Sequence, residues 1–108
     1  MARVLLADDN ESVLFLLNEV VSFLGHEVVA CCRDGAQAKE AYMSCLPDIV
    51  IMDYNMPKLN GIQVAKWMMQ NNESMTKIII CSGDIEAEII RPIREYYERE
   101  YHCYRKNK

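Results

Sequence analysis

Asp48-Ile49-Val50-Ile51-Met52-Asp53-Tyr54-Asn55-Met56-Pro57 decides the fold: an apolar run of strand length ends in a carboxylate and then breaks into a turn-prone loop. Val4-Leu5-Leu6-Ala7 ends the same way, in Asp8-Asp9-Asn10. If the two runs are neighbouring parallel strands, Asp8, Asp9 and Asp53 meet at one edge of one sheet. Carboxylates so crowded repel one another unless a cation sits among them, so the pattern points to an acidic pocket of the kind that takes Mg²⁺.

Outward from these runs, strand-length segments alternate with helical periodicity. Strand one is expected over Val4–Ala7 and a helix from about Glu11 to Leu24. On that helix Val13, Leu14, Leu17, Val20, Val21 and Leu24 share a face, and Gly25 is a natural stop. Strand two follows over Glu27–Cys32 and a short helix over Gly35–Cys45, closed by Pro47. The third strand is expected over Asp48–Met52. Asn60-Gly61 turns into a third helix, Ile62 to Gln70, and isoleucine-rich Lys77–Cys81 is the fourth strand. A charged helical segment from Ile85 to Glu100, interrupted by Pro92, precedes a fifth strand over Tyr101–Tyr104. This alternation implies βαβ units: a doubly wound, five-stranded parallel sheet with helices on both faces. In such folds function lies at the carboxyl ends of the strands.

The bulk properties narrow the classes. A chain of 108 residues with 51% hydrophobic content is expected to form one domain, residues 1–108, with a real core. A net charge of −4 without a basic stripe argues against direct nucleic-acid binding. No leader and no apolar stretch long enough for a bilayer is evident, so a cytoplasmic protein without a membrane partner is expected. The five cysteines (31, 32, 45, 81 and 103) form no CxxC pair and read as reduced thiols, most of them in apolar segments.

Each site residue has a plainer reading. One of Asp8, Asp9 and Asn10 caps the first helix, Asp53 could serve only as a turn former, Ser82-Gly83-Asp84 as a loop, and Lys106 as a solvated charge. Their joint placement outweighs these. Acids end strands one and three, a hydroxyl ends strand four and a lysine closes strand five, around one crevice. Three carboxylates suit Mg²⁺, while a serine and a lysine can contact phosphoryl oxygens, which together suggest phosphoryl transfer to a carboxylate.

With these motifs, and with Ile78-Ile79-Ile80-Cys81-Ser82-Gly83, the chain resembles the receiver domains of two-component response regulators, of the single-domain chemotaxis kind. The resemblance implies a flavodoxin-like receiver fold in which Asp53 takes a phosphoryl group from the phosphohistidine of a sensor histidine kinase or phosphotransfer protein. It further implies Mg²⁺ held by Asp8, Asp9, Asp53 and the Asn55 backbone carbonyl. Ser82 would bind the phosphoryl group and carry the switch, with small Gly83 leaving its route open, and Lys106 would pair with a phosphoryl oxygen. Output would pass to an unknown partner protein through protein contacts, with at most slow self-dephosphorylation.

The last quarter departs from the pattern. Lys106 lies slightly further from Ser82 than the family spacing, is followed by Asn107 rather than proline, and leaves Lys108 as an alternative. Cys103 stands where an aromatic switch residue is usual. The fifth helix is expected to be missing. The apolar residues Phe15, Leu16 and Phe23 of the first helix then suggest a groove filled by a second copy, giving a homodimer, or by residues of a longer parent chain. Two other functions compete: a pseudo-receiver scaffold without productive phosphorylation, motivated by the irregular end, and a Mg²⁺-dependent phosphohydrolase. Position 55 is Asn, where a phosphohydrolase needs an acid. Nucleotide-binding glycine loops are absent from the sequence.

Overall fold

A computed structural model of the protein describes residues 1–71, 76–82 and 101–105, the last stretch and Ser82 by backbone alone. Five strands form one parallel sheet in the order β2-β1-β3-β4-β5. They are β1 Arg3–Ala7, β2 Glu27–Cys32, β3 Ile49–Asp53, β4 Lys77–Ser82 and β5 Tyr101–Arg105. The helices between them are α1 Glu11–Phe23, α2 Gly35–Cys45 and α3 Gly61–Gln70. The expected doubly wound sheet is therefore present. The helical segment expected over 85–100, with Pro92, lies outside the described residues.

Strand alternation sends side chains to two separate cores. Val4 and Leu6 of β1 face α1, packing with Leu14 and Val21. Leu5 and Ala7 face the other way, into a larger core with Val50 and Met52 of β3, Ile78 and Ile80 of β4, and Val64, Ala65 and Met68 of α3. Leu5, Leu6, Val50 and Met52 are fully buried, as central strands of a two-faced sheet require. Across α2 and α3, Trp67 meets Tyr42 edge-on at 6.0 Å between ring centroids, and Lys39 stands 5.0 Å above the Trp67 ring.

Element ends follow local chemistry. The Asn10 side chain accepts from the backbone N–H of Ser12 and Val13 and so caps α1. Asn60 and Gln63 form a reciprocal capping box at the start of α3. Gly25, at φ 89°, ends α1 in the left-handed region as expected. Leu46 takes φ 46° to close α2, because Pro47 disfavours the helical region for the residue before it.

Three expectations are corrected. The third strand runs Ile49–Asp53 rather than Asp48–Met52: Asp48 instead bridges strands, its carboxylate accepting from the Arg3 N–H at 2.8 Å. The buried stripe of α1 is narrower than its periodicity suggested, since Val20 and Leu24 are exposed and only Leu14 and Val21 are buried. Among the thiols, Cys31 is exposed rather than packed, because it sits on the edge strand β2 with its side chain opposite to that of buried Cys32. Cys31, Cys32, Cys45 and Cys81 form no disulfide. Burial pushes the Cys32 thiol up to about 11, with Cys31, Cys45 and Asp34 adding to the effect. No helix among the described residues is long and apolar enough to cross a membrane.

Candidate functional site

The parallel register of β1 with β3 sets Ala7 beside Met52, so the next residue of each strand, Asp8 and Asp53, comes out at the same edge. Asp8 keeps its backbone in the sheet, donating its N–H to the Cys32 carbonyl at 2.9 Å. Its carboxylate accepts from the Asn10 N–H at 2.9 Å, turning the chain towards α1. Because Asn10 alone caps α1, neither aspartate is consumed by that task.

One carboxylate oxygen from each of Asp8, Asp9 and Asp53 lies within 4.8 Å of the other two. Asp8 and Asp53 are buried and Asp9 is exposed, which gives a crevice with a closed floor and an open rim. Ionised carboxylates under partial burial cost several kcal/mol each in desolvation unless compensated by partners. The donor set is all oxygen and strongly anionic. Octahedral Mg²⁺ holds its oxygens at about 2.0–2.1 Å, so that adjacent ligands stand about 3 Å apart and opposite ones about 4 Å. The trio fits a hard divalent cation with only small side-chain adjustment.

The floor of the crevice is built by close backbone approach. Tyr54 donates its N–H to the Cys81 carbonyl at 2.9 Å, continuing the β3–β4 pairing past Asp53, and Gly61 donates to the Tyr54 carbonyl at 2.8 Å. The loop from Tyr54 to Asn60 thus returns on itself, with Met56 buried in the large core and Asn55 exposed at the rim.

Two rim contacts escaped the sequence reading. Arg33 pairs with Glu11 at 2.7 Å, joining the end of β2 to the start of α1. Lys58 pairs with Asp34 at 3.3 Å, joining the β3–α3 loop to the start of α2. Asp34 is the N-cap of α2, accepting from the Gln37 N–H. That backbone bond, followed by the Lys58 ammonium, holds the Asp34 carboxyl below the usual carboxylate range. Asp34-Gly35 directly after a strand was the available signal, since an acid before a glycine at a helix start marks a cap in a tight approach.

Ser82 ends β4, its backbone in register with Arg105 at the end of β5. Gly83, Lys106 and Lys108 lie outside the described residues, as does the serine side chain.

This is a parallel α/β module with an acidic, metal-competent crevice at the carboxyl edge of its sheet. The chain belongs to the response regulator receiver domain family, whose sequence model matches residues 4–96. It is 39% identical over 93 residues to chemotaxis protein CheY of Thermotoga maritima, a match covering 85% of this chain and 77% of that one. Against chemotaxis protein CheY of Bacillus subtilis it is 38% identical over 81 residues, covering 75% of this chain and 67% of that one. Among solved structures, the response regulator domain of Thermotoga maritima CheB superposes with a TM-score of 0.80 at 28% identity, over 94% of this chain and 75% of that one. The protein is thus a signalling receiver of the response regulator type.

Proposed function

We propose that this chain is a single receiver domain, residues 1–108, that accepts a phosphoryl group on Asp53 from the phosphohistidine of a sensor histidine kinase or phosphotransfer protein. The observation that carries the reading is the convergence of the Asp8, Asp9 and Asp53 carboxylates within 4.8 Å at the edge of the sheet. A carboxylate oxygen of Asp53 attacks phosphorus, the N–P bond breaks, and its electron pair returns to the imidazole nitrogen, which takes up a proton. Mg²⁺, when bound by Asp8, Asp9, Asp53 and the Asn55 carbonyl, supplies the positive charge that lets two anions approach. Asp8, floored by the core, fixes the ligand geometry, and exposed Asp9 keeps the rim open to the donor. Ser82 and Lys106 are assigned to the phosphoryl oxygens, with Gly83 leaving their approach clear.

On this reading the domain acts in the cytoplasm, passes its signal by contact with an output protein, and turns over nothing beyond slow loss of its own aspartyl phosphate. Self-association through the exposed apolar residues of α1 belongs to the same proposal.

The test is incubation with acetyl phosphate and Mg²⁺ followed by intact-mass measurement. A single phosphoryl mass is expected, lost in Asp53→Asn. One observation favours the scaffold reading: β5 sets Cys103 beside Ile80, where receivers commonly carry an aromatic. An unshifted mass in the wild type would establish that scaffold instead.

A further inference from the structure

The loop carrying Asn55 is fastened at both ends by backbone bonds and in its middle by a different element. Tyr54 is tied to β4, and Gly61 closes on Tyr54. Between them, the Pro57 carbonyl accepts from the Gly35 N–H at 3.4 Å, at the first turn of α2. The fit there is tight: a Cβ on Gly35 would stand 2.6 Å from the Leu59 Cβ and 2.7 Å from the Leu59 carbonyl oxygen. Lys58, between Pro57 and Leu59, adopts φ 72°. A non-glycine residue in the left-handed region costs on the order of 1 kcal/mol and persists only where its surroundings hold it. Two contacts hold it: the Leu59 N–H donates to the Pro57 carbonyl at 2.8 Å directly across Lys58, and the Asp34 Oδ2 takes the Lys58 ammonium at 3.3 Å while its Oδ1 accepts from the Gln37 N–H at 2.8 Å. The Asp34 side chain is 12% exposed, so one end of the pair is anchored, although the lysine is 65% exposed.

We infer that Asp34 is a positioning residue for the cation site: by gripping Lys58 it presses the β3–α3 loop onto the start of α2 and so fixes the loop that presents the Asn55 carbonyl. The inference rests on the phosphoacceptor reading above. It assigns two tasks to one carboxylate. One oxygen caps a helix, and the other sets the loop from which a metal ligand projects three residues before Lys58. Groups that orient a metal's ligands without touching the metal are known to change its affinity markedly.

Capping and positioning separate by substitution. Asn is as good an N-cap as Asp, so Asp34→Asn keeps the bond to Gln37 and removes only the charge facing Lys58. Lys58→Met removes the other half of the pair, and Lys58→Arg restores it. The experiment is Mg²⁺ titration of each unphosphorylated, folded variant by calorimetry at neutral pH, with urea unfolding to verify the fold. Asp34→Asn and Lys58→Met are expected to bind Mg²⁺ about three- to tenfold more weakly than wild type, and the double variant no more weakly than either alone. Lys58→Arg is expected to bind like wild type. Affinities within twofold of wild type for both charge-removing variants overturn the positioning role and leave the phosphoacceptor reading standing. A wild type that takes up no Mg²⁺ overturns both.

Discussion

Gly61 and Asp53 touch: a Cβ on Gly61 would stand 2.5 Å from the Asp53 carbonyl oxygen and 3.0 Å from the Tyr54 Cα. Both obstacles are backbone, so neither can swing aside. The first residue of α3 therefore rests on the tip of β3, and the site aspartate is backed by a helix start. Gly61→Ala is expected to destabilise the fold by about 1–3 kcal/mol, the range for overpacking a tight site, measured as a lower urea midpoint. Because the strain falls on the Asp53 backbone, its Mg²⁺ affinity is expected to fall as well.

The acid limb of stability carries the signature of Asp34. Its carboxyl is held below the ordinary range, first by the Gln37 N–H and then by Lys58. A depressed folded value means the contribution is complete above the unfolded value near 4 and disappears as pH falls through the folded value. Wild type is therefore expected to lose stability more steeply than Asp34→Asn below about pH 4. Urea midpoints taken across the acid range check this, and parallel curves would contradict it.

Thr76 donates its hydroxyl to the buried Pro47 carbonyl at 2.7 Å, just before β4 begins. Thr76→Val keeps the shape and strands that carbonyl without its donor. A loss of about 1–3 kcal/mol in unfolding free energy is expected, read from the same denaturant curves, with the crevice carboxylates and Mg²⁺ affinity unaffected.

The vicinal thiols should separate by reactivity. Cys31 is exposed, while Cys32 is buried and pushed up to about 11. Iodoacetamide at neutral pH is expected to label Cys31 well before Cys32 in the native protein, and the two equally in urea. Peptide mapping over time decides it.

On α1, Phe23 is 90% exposed, Phe15 67% and Leu16 62%. Phe23→Glu is expected to leave folding and Mg²⁺ binding intact while abolishing concentration-dependent association, followed by sedimentation velocity. A wild type that stays monomeric throughout removes self-association from the proposal.

The sheet was legible because its central strands are short apolar runs, two of them (β1 and β3) closed by acids, and a parallel sheet buried on both faces demands such runs. The convergence of Asp8, Asp9 and Asp53 followed from strand ends alone, since the parallel register leaves the tips of β1 and β3 side by side. Less was legible wherever tertiary contact overrode pattern. Asp48 reads as the start of a strand, yet its carboxylate serves the Arg3 backbone. Val20 and Leu24 have the right period for the α1 stripe, yet both are exposed. The Asp34–Lys58 pair joins residues far apart in the chain, through a backbone conformation that no local propensity assigns to lysine.

Asp8 and Asp53 are brought together solely by the pairing of β1 with β3. An unfolded chain scatters them, so a divalent ion has no comparable seat there and acts as a ligand of the folded form alone. Saturating it at ten times its dissociation constant should add about 1.4 kcal/mol to the unfolding free energy. The thermal midpoint would then rise with magnesium concentration, making the melting curve itself a gauge of the ion before any phosphate donor arrives.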